Sequence, residues 1–106
     1  MSVAIVGGHD RMVRQYKDIC KEYGCKAKVF TQMESGLRGA MGSPDLLVLF
    51  TSTMSHKMLR YALSELGESV TTKIVRSHTS SGEALRGIME AHAKAWTDTD
   101  MQQKSV

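Results

Sequence analysis

Residues 3–10 read VAIVGGHD, and this stretch decides the fold of the chain. Four consecutive apolar residues, Val3 to Val6, predict a short strand that is buried on both faces, as in a parallel sheet. From Asp10 the apolar residues recur at helical spacing, so the glycine pair ends the strand and a helix follows. The stretch therefore predicts a β-α unit, the building block of α/β folds.

The same alternation repeats three more times along the chain. Further strands are predicted at residues 26–30, 46–50 and 72–75. Each is followed by apolar residues at helical spacing. Two capping boxes, Thr31 with Glu34 and Ser80 with Glu83, predict the starts of two of these helices. Gly24 is expected to end the first helix in a left-handed conformation.

Four β-α units of this length predict a parallel sheet with right-handed crossovers. We expect a small three-layer α/β domain, Rossmann-like or flavodoxin-like, with a four-stranded parallel sheet in the order 2-1-3-4. The 106 residues are enough for one domain with its own core. We expect residues 1–96 to form that domain and the polar residues 97–106 to form a flexible C-terminal tail.

The first residues lack the pattern of a secretory signal, and no apolar run is long enough to span a bilayer. A cytoplasmic protein that does not use a membrane is therefore expected. In that compartment the two cysteines, Cys20 and Cys25, are expected to stay reduced.

The formal net charge of +3 arises largely from basic residues between Arg11 and Lys28. A solvated helix face explains this cluster, and the aromatic interleaving of a single-strand binder is missing, so nucleic acid is not expected as a partner. A four-stranded sheet has exposed edges, and Trp96 and the methionines need cover. We therefore expect a homodimer.

Three of the four histidines follow predicted strands. In an open parallel sheet, ligands bind outside the carboxyl ends of the strands. His9, His56 and His78 fall in the turns at those ends, whereas His92 lies on an apolar helix face and is expected to pack. Three histidines could hold zinc with one open position, and one or two could ligate haem iron. Each histidine taken alone is more typical of a surface or capping residue, and it is their joint placement that favours a site.

The same turns contain further candidate residues. A glycine pair lets the backbone come close to a ligand, so substitution of Gly8 is expected to harm binding more than folding. Arginines at the rim suit carboxylates, Ser and Thr hydroxyls add donors, and methionines supply an apolar wall. The candidate ligand-binding residues are Gly7, Gly8, His9, Arg11, Met54, Ser55, His56, Arg76, Ser77 and His78, with His9, His56 and His78 as candidate metal ligands.

Several other functional classes lack their motifs. The chain has neither a P-loop nor the Gly-x-Gly-x-x-Gly pattern of dinucleotide-binding proteins, and no nucleophile elbow. A phospho-receiver domain needs acidic residues after strands one and three, but Asp45 precedes its strand and Asp10 stands alone. No carboxylate is clearly placed to orient a catalytic histidine, so no catalytic residue is assigned.

Three segments together resemble the bacterial family named domain of unknown function 2325. They are the start from Val3 to His9, the apolar strand leading to Ser55 and His56, and the last strand followed by residues 77–81. The resemblance extends from about residue 2 to residue 92. It implies a small Rossmann-like domain. Through members that bind haem, it also implies functional roles for His9 and His56.

The leading hypothesis is a small ligand-binding protein that holds haem, or another metal centre, through histidines at the carboxyl rim of the sheet. Such a protein would act as a carrier, a sensor or a gas-binding protein. Two alternatives stay open at this point. One is a metal-free sensor or scaffold for an anionic small molecule, and the other is a zinc- or histidine-dependent enzyme.

Overall fold

The structure is a computed structural model that describes residues 1–32, 42–66 and 72–92. In these ranges the strands are β1 (Ser2–Gly7), β2 (Lys26–Phe30), β3 (Leu46–Phe50) and β4 (Lys73–Ser77). The helices are α1 (Val13–Glu22), α2 (His56–Leu66) and α3 (residues 82–92). Short 3₁₀ turns, at Asp10–Met12 and Thr51–Thr53, follow β1 and β3.

All strands of the sheet are parallel, in the order β2-β1-β3-β4. Ile5 in the middle of β1 lies opposite Val29 of β2 on one side and Val48 of β3 on the other. The predicted fold class and strand order are therefore confirmed. Because parallel strands run in one direction, the turns after β1, β3 and β4 all lie at the carboxyl edge of the sheet.

The core has two parts, one on each face of the sheet. On the first face, helices α1 and α3 pack together on alternate side chains of β1 and β3, with Tyr16 and Leu85 fully buried. On the second face, Met58 and Ala62 of α2 pack against the intervening side chains of the same strands. We call these the α1/α3 face and the α2 face. Helices on both faces make the domain three-layered, as predicted.

Several boundaries differ from the sequence prediction. Strand β4 extends to Ser77, two residues beyond the predicted end. Thr72, its predicted first residue, precedes the strand, and its hydroxyl donates to the carbonyl of Pro44 at 2.6 Å. Gly24 has a φ of +72°, which confirms the left-handed end of α1. The helix predicted after Thr31 lies almost wholly outside the described residues, as do Trp96 and the predicted tail.

The start of α3 shows that the second predicted capping box was wrong by one residue. The backbone N–H of Ala84 donates to the Ser81 hydroxyl at 3.1 Å, so Ser81 caps the helix rather than Ser80. The backbone carbonyl of Ser80 instead accepts a hydrogen bond from the buried Tyr16 hydroxyl at 2.5 Å. This contact with α1 sets where the chain turns into α3.

Both cysteines are free and buried. Burial raises the pKa of the Cys20 thiol to about 12, and it also raises the pKa of Cys25. Protonated thiols are poor nucleophiles and poor metal ligands, so we interpret both as packing residues. His92, the last described residue of α3, is half-buried, and burial and the charge of Lys73 lower its pKa.

No helix among the described residues is both long enough and apolar enough to cross a membrane. The homodimer stays a prediction.

Replacement of Ser81 with alanine should lower the free energy of unfolding by about 1 kcal/mol, because the first turn of α3 loses its side-chain cap. Ser80→Ala is the matched control, since the bonded group of Ser80 is its backbone carbonyl, and it should change stability by less than about 0.5 kcal/mol. Urea unfolding followed by circular dichroism measures both. A larger loss in Ser80→Ala than in Ser81→Ala would contradict this assignment of the cap.

Candidate ligand-binding cleft

An open cleft lies at the carboxyl edge of the sheet, where the turns after β1, β3 and β4 meet. Its volume is about 430 Å³, within the range of small-molecule sites. It is lined by His9, Arg11, Met12, Ser52, His78, Thr79, Ser80 and Ser81. We call it the histidine cleft, because imidazoles from two different turns line it.

Only two of the three rim histidines share the cleft, and the packing of the helices explains which two. His9 precedes α1 and His78 precedes α3, and these two helices cover the same face of the sheet. His56 is the first residue of α2, which covers the opposite face, and it does not line the cleft. All three side chains are exposed.

The other predicted site residues have structural partners or lie elsewhere. The Ser55 hydroxyl accepts a hydrogen bond from the Met58 backbone N–H at 3.1 Å and so caps α2. The Ser77 hydroxyl donates to the Thr79 carbonyl at 2.8 Å, which fixes the turn after β4. Met54 packs on the α2 face, and Arg76 is exposed on β4 without lining the cleft.

Of the predicted ligand-binding residues, the structure thus brings together His9, Arg11 and His78. The predicted set lacked five of the lining residues, namely Met12, Ser52, Thr79, Ser80 and Ser81. The signal that could have found them is their position in the same three strand-end turns. Which turns share a face of the sheet was the missing information.

The electrostatic character of the cleft follows from one exposed cation and a carboxylate that is turned away. Arg11 is exposed and lines the cleft. None of the described lining residues is acidic. Asp10, next to Arg11 in the chain, accepts hydrogen bonds from the side chains of Thr31 and Gln32 at the end of β2. The cleft therefore favours ligands that carry negative charge.

Tyr16 lies directly beneath the cleft. Its side chain is fully buried, and its ring contacts the ring of Phe50 with 5.3 Å between centroids. Its hydroxyl donates to the carbonyl of Ser80, and its ring and hydroxyl lie against the backbone at Gly8, the residue before His9. Burial is the largest influence on its pKa, which is raised. A single phenol therefore contacts the two turns that carry His9 and His78.

The glycine pair makes room for protein atoms. Gly8 has a φ of +85°, and a Cβ there would lie 2.7 Å from the Tyr16 ring and hydroxyl. Its backbone N–H donates to the Thr53 hydroxyl at 2.6 Å. A Cβ on Gly7 would lie 2.8 Å from Met54. Both glycines are buried, so their absent side chains serve packing. A side chain at Gly8 therefore also costs folding, and the expected larger effect on binding stays a prediction.

In the part of the chain that the structure describes, no three His, Cys, Asp or Glu side chains form a group that could hold a metal ion. His9, His56 and His78 all lie among the described residues, and their assignment as metal ligands stays a prediction. The zinc- or histidine-dependent enzyme stays a prediction without an assembled site.

The parallel sheet, the helices on both faces and the cleft at the carboxyl edge define a small Rossmann-like α/β protein. Residues 2–92 match the model of a family described as "Uncharacterized protein conserved in bacteria (DUF2325)", and the chain belongs to that family. The resemblance drawn from the sequence is thereby confirmed. No curated protein and no solved structure matches the chain.

Replacement of Gly8 with alanine should lower the free energy of unfolding by about 3 kcal/mol or more. The left-handed backbone costs about 1–2 kcal/mol with a side chain, and the contact with Tyr16 adds about 1–3 kcal/mol. Gly24→Ala is the matched control, because its φ of +72° is similar but a Cβ there meets nothing within 4 Å. It should lose only about 1–2 kcal/mol. Equal losses in the two variants, measured by urea unfolding, would show that Tyr16 does not need the space beside Gly8.

Proposed function

We propose that this chain is a small-molecule-binding protein that holds an anionic ligand in the histidine cleft. The observation that supports the proposal is the composition of the cleft wall. One exposed arginine, two imidazoles and four hydroxyl-bearing side chains line it, and no carboxylate of the described residues does. Such a wall stabilises negative charge and offers many hydrogen-bond donors.

Each group in the wall has a distinct use for a carboxylate or a phosphate. The Arg11 guanidinium can donate two parallel hydrogen bonds to one such group. Ser80 and Ser81 stand at the start of α3, where helix N-termini favour anions. Ser52 and Thr79 add hydroxyl donors from the other turns. Together these groups can contact an anion from three sides of the cleft.

Pyrophosphate and citrate are suitable probes, since they present the two classes of oxyanion in compact form. Arg11→Gln should weaken their binding about tenfold, because a hydrogen bond to a charged group is lost. Arg14→Gln is the matched control, since Arg14 is exposed on α1 and does not line the cleft. It should leave the affinity nearly unchanged. Isothermal titration calorimetry measures all three proteins, and the absence of saturable binding of either probe by the wild type would contradict the proposal.

A second candidate ligand is haem, and the observation that favours it is that His9 and His78 line the same cleft as Arg11. An imidazole suits haem iron, and a guanidinium suits a haem carboxylate. The donor set of the cleft therefore fits the iron and the acidic edge of haem. Met12 is the one apolar side chain among the described lining residues, so it is the residue available to contact the porphyrin ring.

If haem is the ligand, the role of the protein is to position the iron and the carboxylates of haem. His9 or His78 would hold the iron, Arg11 would orient a carboxylate, and the burial of Tyr16 beneath them would keep their turns in place. Bound haem would supply reversible gas binding or one-electron transfer, the chemistry of a carrier or sensor.

The visible spectrum of the chain after addition of haemin tests this second candidate. His9→Ala or His78→Ala should change the absorption bands or weaken binding at least tenfold, since a bond to the iron is lost. His56→Ala is the matched control: an exposed histidine at another turn of the same edge, outside the cleft. Unchanged spectra in both cleft variants, or a loss confined to His56→Ala, would eliminate the cleft as the haem site.

A further inference from the structure

Tyr16 occupies a position that no other described tyrosine shares. It projects from α1 into the core of the α1/α3 face and is completely buried, yet its hydroxyl reaches the turn after β4. The hydrogen bond to the Ser80 carbonyl joins residues that are 64 positions apart in the chain. The same hydroxyl lies against the turn after β1, because a Cβ on Gly8 would stand only 2.7 Å from it.

We propose that Tyr16 is the positioning residue of the histidine cleft, which sets the separation of the His9 and His78 turns through its hydroxyl. The inference rests on the proposed function, because it concerns the geometry of the same cleft. Tyr16 itself does not line the cleft, so it acts through the two turns and does not contact the ligand.

Two features make the hydroxyl effective in this role. The ring packs against Phe50 on one side. On the other side it packs against Gly8, where any side chain would collide with it. The hydroxyl is therefore carried by a ring with little freedom to move. The hydroxyl donates to the backbone carbonyl of Ser80 and lies against the backbone at Gly8, so its displacement shifts the backbone of both turns and the imidazoles that they carry.

Tyr23 provides the matched comparison. It is the C-cap residue of the same helix, and its hydroxyl also makes a hydrogen bond across to α3, donating to the Glu90 carboxylate at 2.9 Å. That bond is exposed and lies far along the helix pair, away from the residues that line the cleft. Tyr23→Phe therefore removes a hydroxyl and an α1 to α3 hydrogen bond without touching either histidine turn.

The experiment compares Tyr16→Phe, Tyr23→Phe and the wild type in two measurements. The first is the NMR signals of the His9 and His78 rings without any ligand. The second is the affinity for pyrophosphate and for haemin. Tyr16→Phe should shift the ring signals of both histidines. It should also weaken the binding of each probe about fivefold, because a buried hydrogen bond that positions the turns of the cleft is lost. Tyr23→Phe should leave both measurements unchanged.

Folded Tyr16→Phe protein with unchanged ring signals and affinities would overturn the proposal, and so would equal effects in Tyr23→Phe. If the wild type binds neither probe, the proposed function fails, and the ring signals alone decide the role of Tyr16. If Tyr16→Phe does not fold, the hydroxyl proton of the wild type decides. A slowly exchanging signal with NOEs to the backbone amides of His9 and Ser81 is expected. A rapidly exchanging hydroxyl proton would refute the contact of Tyr16 with the two turns.

Discussion

All five side chains of β3 are buried, and the strand must therefore be covered on both faces of the sheet. An uncovered face would expose apolar area to water, and this costs about 25 cal/mol of folding free energy for each Å². The chain meets this requirement by placing α1 and α3 on one face and α2 on the other. The geometry of the histidine cleft depends on which face each helix covers. Each described helix begins in a strand-end turn and places that turn toward its own face of the sheet. His9 and His78 consequently share a cleft, and His56 does not line it.

The sequence was sufficient to predict the strands and the helices of the described residues and their order. Runs such as Val3 to Val6 and Leu46 to Phe50 are apolar without alternation, which is the signature of strands buried on both sides. The helices show their inner faces through spacing, and Tyr16 and Ile19 are buried as their period requires. Handedness then limits the topology to few choices, and the order 2-1-3-4 is one of them.

Fine placement could not be predicted, because it depends on contacts between residues distant in the chain. The pattern Ser80-x-x-Glu83 is as good a local start signal as the true cap at Ser81. The contact that distinguishes the two serines is the hydrogen bond from the Tyr16 hydroxyl to the Ser80 carbonyl, and these residues are 64 positions apart in the chain. The packing role of the glycine pair could not be predicted for the same reason. Locally it resembles a ligand-binding turn, and only the folded chain shows that the Tyr16 ring lies against Gly8.

The wall of the cleft, formed by its lining side chains, and its floor, formed by Tyr16, are subject to different physical constraints. Its wall consists largely of exposed side chains, such as Arg11 and His78, whose replacement costs little in packing. Its floor is a buried ring whose hydroxyl donates to the backbone carbonyl of Ser80, an acceptor that every residue at position 80 would provide. Chemical preference for a ligand can therefore change through the wall while the floor keeps the separation of the turns. A change in the floor, by contrast, would move both turns at once, because Tyr16 contacts Ser80 in one and Gly8 in the other.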